Sequence, residues 1–279
     1  MLCGIDALHF PNKPLFFFVI CLIIWHIADY RGSMIRTILI FIYLFISVII
    51  ASIVGLLLNV LCSFGLWKYR PYVNYRIAQV WARVLIKVTG CRMTVNGREN
   101  IPKKGGLCFV SNHGSIFDIV LILAYAGRPL GFIAKRELIY IPLINIWIPL
   151  LGGLYIDRDN LRKGLKTIKR GISNIESGGV MVVFPEGHRS RGQGLLPFRP
   201  GSLKLATQAK APIVPIAIAG TYDVFEKSYR VCAGPVAVSF GAPVPTADIP
   251  VADRKQMLAG HVYQIISDML GAQGFGLRS

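Results

Sequence analysis

Two short stretches of this 279-residue chain carry side chains that could do chemistry together. In residues 107–118 an apolar, β-prone run ends in the polar turn Ser111-Asn112-His113-Gly114. Ser115 then opens a helical apolar pattern through Ile116, Ile119, Val120 and Leu123. His113 is therefore expected on a strand-to-helix turn, the edge of an open α/β sheet where ligands usually bind. Asp118, about one helical turn further on, is in reach of its imidazole, and an imidazole oriented by a carboxylate is a general base. Ser115-x-x-Asp118 is also the spacing of a capping box, in which Asp118 serves the helix N-terminus and His113 is an incidental turn residue. Spacing alone leaves both readings open.

The second stretch, Phe184-Pro185-Glu186-Gly187-His188-Arg189-Ser190-Arg191, also follows an apolar, strand-like run, residues 180–183. It brings Glu186, Arg189 and Arg191, with Arg199 beyond them, toward the same expected sheet edge. Guanidinium groups bind phosphate bidentately, which a lysine does not reproduce. A surface ion-pair cluster would account for these residues if the motif stood alone.

The chain is basic and oily at once: 31 Lys+Arg against 14 Asp+Glu give a formal charge of +17, while 53% of residues are hydrophobic and the mean hydropathy is +0.53. Nucleic-acid binders are seldom this apolar, so no nucleic-acid partner is expected. An anionic membrane surface and phosphate-bearing substrates fit both properties. The six cysteines (Cys3, Cys21, Cys62, Cys91, Cys108 and Cys232) are scattered without a Cys-x-x-Cys pair. Neither a disulfide framework nor a zinc site is indicated, which places the catalytic part in a reducing compartment.

The elements that must position the two stretches follow from periodicity. Residues 15–28 are uncharged but short of the roughly 20 residues that cross a bilayer as a helix. Residues 37–67 carry no charge and as one helix would run about 45 Å. That segment either tilts or breaks near Gly55 and Asn59 into a hairpin. Arg31 and Arg36 flank it on one side and Lys68, Arg70 and Arg76 on the other, so charge does not set its orientation. A cleaved signal peptide lacks its small-residue cleavage pattern here. Residues 72–88 read as an amphipathic helix, 93–96 as a strand, and 131–134 as a strand ending at Lys135-Arg136. The proline-interrupted run 139–151 is expected in the core or along an apolar groove. Asp157 would pair with Arg158 or cap the next helix, 161–177, whose Lys163, Lys166, Lys169 and Arg170 form a solvated basic face. Residues 211–218 read as a buried strand, 236–240 as another, and 254–270 as an amphipathic helix packed on the sheet.

Together these motifs resemble the glycerolipid acyltransferase family, specifically the 1-acylglycerol-3-phosphate (lysophosphatidic acid) acyltransferases. Asn112-His113 with Asp118 is similar to the family's Asn-His-x-x-x-x-Asp box, and residues 184–190 to its Phe-Pro-Glu-Gly-Thr-Arg-Ser box. Residues 152–158 resemble its Gly-x-x-x-Ile-Asp-Arg box, and 211–218 its last box. The likeness spans about residues 90–240. It implies an α/β fold, a mostly parallel or mixed sheet of about seven strands flanked by helices, with an N-terminal hydrophobic helical anchor. The anchoring region would be residues 1–71 and the catalytic domain 72–279.

The implied reaction moves an acyl group from acyl-CoA or acyl-ACP (acyl carrier protein) to the sn-2 hydroxyl of 1-acyl-sn-glycerol 3-phosphate, giving phosphatidic acid. His113 would be the base and Asp118 its orienter. Lys135, Arg158 and Arg189 would hold the phosphate, and Glu186, Gly187, His188 and Ser190 would complete the substrate loop. His188 departs from the family's threonine, which puts contacts and substrate preference at that position in question. The resemblance implies no cofactor besides the acyl donor. Its expected partners are lysophosphatidic acid, the donor thioester and anionic membrane lipids, at the inner (cytoplasmic) membrane with the catalytic domain facing the cytosol. Family members from bacteria often begin much as Met34-Ile35-Arg36 does, so residues 1–33 read as an extension or an unused upstream start. Three alternatives remain at this stage: another lysophospholipid or lyso-aminolipid acceptor, a metal-dependent hydrolase using His113, Asp118, Glu186 and His188, and a non-catalytic basic membrane adaptor.

Overall fold

The computed structural model describes residues 34–247 and 257–274. In chain order its elements are α1 (Met34–Cys62), α2 (Arg70–Thr89), β1 (Arg92–Asn96), β2 (Leu107–Ser111), α3 (Phe117–Tyr125), β3 (Gly131–Lys135), α4 (Ile144–Leu150) and β4 (Leu154–Ile156). There follow α5 (Leu161–Glu176), β5 (Val180–Val183), α6 (Lys204–Gln208), β6 (Ile213–Ala219), α7 (Thr221–Val224), β7 (Pro235–Phe240) and α8 (Met257–Ala272). The segment 15–28 lies outside the described residues.

One seven-stranded sheet runs in the order β1-β7-β6-β2-β5-β3-β4. Every neighbouring pair is parallel except β6 with β7. Its centre is built from runs without a polar side chain until the last residue, Leu-Cys-Phe-Val-Ser in β2 and Val-Met-Val-Val in β5, all buried. Such runs suit parallel strands covered on both faces. Alternation sorts their side chains between two cores: Leu107, Phe109, Val180 and Val182 pack with α1, α2 and α3. Cys108, Val110, Met181 and Val183 pack with α5, α6 and α8 on the opposite face. The expected fold class is therefore observed, including the terminal amphipathic helix, which buries Leu258, Val262, Ile266 and Leu270.

Helix α1 is continuous, with no hairpin at Gly55 or Asn59. It is long and apolar enough to cross a membrane, by length and composition. Its few polar residues face the protein. Arg36 donates from Nη2 to the Thr89 carbonyl at 2.6 Å, and Trp81 Nε1 donates to Ser47 Oγ at 3.1 Å. Asn59 Nδ2 donates to Asn74 Oδ1 at 2.6 Å and its Oδ1 accepts from Arg70 Nε at 2.7 Å. Asn59 thus has its polar atoms satisfied by α2 without a break in the helix, and Gly55 leaves room for the Trp147 ring, 3.4 Å from where a Cβ would stand. The two residues that read as breakers are packing residues.

The run 139–151 also departs from the core expectation. No residue of α4 is buried, and Tyr140 is 78% exposed, with Ile139, Ile141, Ile144 and Ile146 exposed beside it. Only the last part of the run meets the core among the described residues: Trp147 and Leu151 pack against it, and Trp147 donates to Ser52 Oγ of α1 at 2.9 Å. Helix α5 is capped by Asn160, whose Oδ1 accepts from Lys163 N at 3.0 Å. Asp157 does not take that role; it pairs with Arg136 at 2.8 Å.

Candidate active site

Strands β2, β3, β4, β5 and β6 are mutually parallel, so the loops after their last residues gather at one edge of the sheet. His113 follows β2, Glu186 follows β5, Arg158 follows β4, Lys135 ends β3, and Thr221 follows β6.

His113 Nδ1 lies 2.9 Å from Asp118 Oδ2. The same oxygen accepts the Ser115 N–H at 2.9 Å, and Ser115 Oγ accepts the Phe117 N–H at 3.0 Å. The helix-cap and imidazole-orienting readings are thus both realised, because an ionised carboxylate has lone pairs for several donors. Thr221 Oγ1 adds a third bond, 2.6 Å to Asp118 Oδ1. Asp118 is 0% exposed. A carboxylate only accepts, so Nδ1 carries the imidazole proton and Nε2 is left as the free basic nitrogen. The ring stacks on Phe184 with centroids 4.0 Å apart, which fixes its plane.

The two motifs are stitched together through His113's own backbone. Its N–H donates to Glu186 Oε1 at 2.7 Å, and its carbonyl accepts the Ser190 N–H at 2.7 Å. Glu186 Oε2 accepts from Leu196 N at 3.2 Å. Glu186 is 1% exposed, and burial pushes its carboxyl up to about 7 against the pull of those two N–H donors, with the Asp118 charge adding to the rise. Asn112 clamps the preceding residue onto β6, exchanging two 2.8 Å hydrogen bonds with the Ile218 backbone.

Of the expected cations, Arg158 reaches the substrate loop and donates from Nη1 to the Gly187 carbonyl. Partial desolvation and then the nearby Arg199 charge push its pKa down. Gly187 has φ +79°, and a Cβ there would lie 2.4 Å from Arg199 Nε, so the Arg199 guanidinium lies against this glycine. Neither Arg158 nor Arg199 has a carboxylate partner among the described residues. Two guanidinium groups share one loop with no carboxylate in direct contact, the Glu137 charge acting on Arg158 only from a distance, and such a pair forms a place for an anion. Arg189 is ion-paired to Glu226, whose Oε1 also accepts the Ile116 N–H at 3.4 Å. Lys135 instead turns to Glu137 at 2.9 Å, both exposed, and His188 is exposed on the loop.

Thr221 and Glu226 stand in none of the motifs. Thr221 had one readable signal: like His113 and Glu186, it lies just beyond a buried strand. Among the described residues, no three His, Cys, Asp or Glu side chains group to hold a metal ion.

Fold and site together define an α/β protein with a carboxylate-oriented histidine at the carboxyl edge of its sheet and unpaired arginines beside it. Residues 92–219 match the family described as Acyltransferase. A probable 1-acyl-sn-glycerol-3-phosphate acyltransferase of Mycoplasma pneumoniae is 30% identical over 213 residues, covering 72% of this chain and 79% of that one. The 1-acyl-sn-glycerol-3-phosphate acyltransferase of Limnanthes douglasii is 31% identical over 184 residues, and the match spans 64% of this chain and 65% of that relative's length. The crystal structure of the 1-acyl-sn-glycerophosphate (LPA) acyltransferase PlsC from Thermotoga maritima superposes with a TM-score of 0.71 at 26% identity, over 86% of this chain and 97% of that one. The chain belongs to the acyltransferase family.

Proposed function

We propose that the protein transfers an acyl group from an acyl-CoA or acyl-ACP thioester to the sn-2 hydroxyl of 1-acyl-sn-glycerol 3-phosphate, giving phosphatidic acid. The observation that carries this is the His113–Asp118 contact, which leaves Nε2 unprotonated at a sheet edge lined by unpaired arginines. The names of the relatives supply the acceptor. An alcohol is too weakly acidic to ionise unaided near neutral pH, so Nε2 takes its proton as the oxygen attacks the thioester carbonyl. Asp118 stabilises the imidazolium that forms. Collapse of the tetrahedral intermediate expels the thiolate, which takes the proton back from Nε2. The acceptor alcohol is the nucleophile and the thiolate leaves readily, so no acyl-enzyme and no cofactor beyond the donor are required. Ser115, buried and serving the helix start, is a cap rather than a nucleophile.

Arg158 with Arg199 holds the acceptor phosphate, and Arg189 approaches it from the Glu226 side. The outward face of α1, with Phe41, Phe45, Leu56 and Leu57 exposed, enters the membrane and meets anionic lipid headgroups. Soluble thioester donors place the domain on the cytosolic side of the inner membrane. The test is acyl transfer to 1-acylglycerol 3-phosphate by membrane-reconstituted protein beside His113→Ala. Phosphatidic acid formed by the wild type and lost in the variant supports the reading. Product undiminished in the variant overturns the base assignment, and no product with either donor overturns the acceptor.

A further inference from the structure

Arg162, Lys163, Lys166, Lys169 and Arg170 are all exposed on α5, and at 100° per residue they fall within an arc of about 120°. None makes an ion pair among the described residues. Acids near them are few: the helix's one acid, Glu176, is its last residue, Asp157 before it is committed to Arg136, and Asp159 beside the cap makes no ion pair with them among the described residues. Cations at i and i+4, as at 162/166 and 166/170, repel one another. Arg162 and Lys163 also sit in the first turn of the helix, where the backbone dipole favours negative charge. The stripe therefore works against the helix that carries it, and an anionic partner relieves that cost.

Placement narrows the partner. Helix α5 crosses from the end of β4 to the start of β5, so its cation-bearing end starts at the site edge, three residues after Arg158. It covers the sheet face opposite α1, so the stripe lies on the layer remote from the apolar helix. From residue 162 to 170 the cations extend about 12 Å along the axis, a line rather than a point, which suits an acidic protein surface.

We propose that this face of α5 docks an acidic carrier protein that presents the acyl chain as its thioester at the site edge. The inference deepens the acyltransferase reading above and rests on it. The test compares wild type with Arg162→Glu/Lys166→Glu/Lys169→Glu, using acyl-CoA and acyl carrier protein thioesters separately, and measures binding to anionic vesicles. Expected is a rise of at least tenfold in KM for the carrier thioester, with KM for acyl-CoA and vesicle binding changed less than twofold. Retained acyl-CoA turnover is also the folding control. Binding of carrier protein alone, followed by fluorescence anisotropy, should weaken in step and should fall with salt. Equal losses with both donors, lost vesicle binding, unchanged KM for both, or a wild type unable to use the carrier thioester would each overturn the docking proposal. Absence of acyl transfer from any donor would instead bring down the function on which it rests.

Discussion

Glu186 gives the sharpest test of how the two motifs are joined. Its carboxyl is buried, held by the N–H groups of His113 and Leu196, and pushed up from 4.5 to about 7 chiefly by burial. Between those values the folded protein holds a proton that the unfolded chain has released. Its contribution is therefore fully present below pH 4.5 and is lost as pH rises through 7. At 1.36 kcal/mol for each pH unit between the two values, the loss is about 3 kcal/mol. Glu186→Gln removes the titration and keeps the volume, so the other groups cancel when the two proteins are compared at each pH. The melting temperature of wild type minus that of Glu186→Gln should then fall by roughly 6–12 °C from pH 4.5 to 8, at about 2–4 °C per kcal/mol for a domain of this size. The assay is thermal unfolding in detergent across that range. A difference independent of pH would mean that Glu186 is ionised throughout and that its two N–H donors outweigh its burial.

Thr221→Val removes the 2.6 Å bond to Asp118 Oδ1 without changing the side chain's volume much. A bond to a charged group is worth about 1.5–3 kcal/mol, so kcat should fall roughly 10- to 100-fold at unchanged acceptor KM, while Thr221→Ser keeps most activity; steady-state kinetics with kcat intact would remove Thr221 from the positioning set. Gly187→Ala places a Cβ on Arg199 Nε at a backbone with φ +79°. It should cost about 1 kcal/mol or more in stability and raise the KM for a phosphate-bearing acceptor, both read on purified protein.

The central strands were legible because β2, β5 and β6 are short apolar runs that stop at polar turns, and their observed bounds fall within two residues of those expected. His113 and Glu186 were legible for the same reason. Thr221 was not, because its contact with Asp118 joins residues 103 apart through the adjacency of β6 and β2, and strand order is not written in local pattern. Glu226 depends equally on that packing. The cap was misassigned between Asp157 and Asn160 because both residue types cap helices and they lie three positions apart. Asn59 read as a breaker by its preference in water, yet Asn74 and Arg70 satisfy it in place. The run 139–151 shows the limit of composition: apolar residues declare that they avoid water, not whether protein or lipid will cover them.

The same ambiguity resolves differently along α1, where one stripe is held by Thr89, Trp81, Asn74 and Arg70 while the other is left apolar and bare. A helix tied to the domain at both ends is not a tether that swings free of it. Phe41 of α1 packs edge-on against Phe225 with centroids 5.2 Å apart. The next residue, Glu226, holds both Arg189 and the Ile116 N–H at the start of the turn into α3. From the apolar helix α1 to the arginine beside the His113 turn there are thus two side-chain contacts and one peptide bond. Removing α1 takes away one of the packing partners of Phe225, and the position of Arg189 depends on the residue beside it. The apolar helix is in this sense part of what positions Arg189 at the edge of the candidate site.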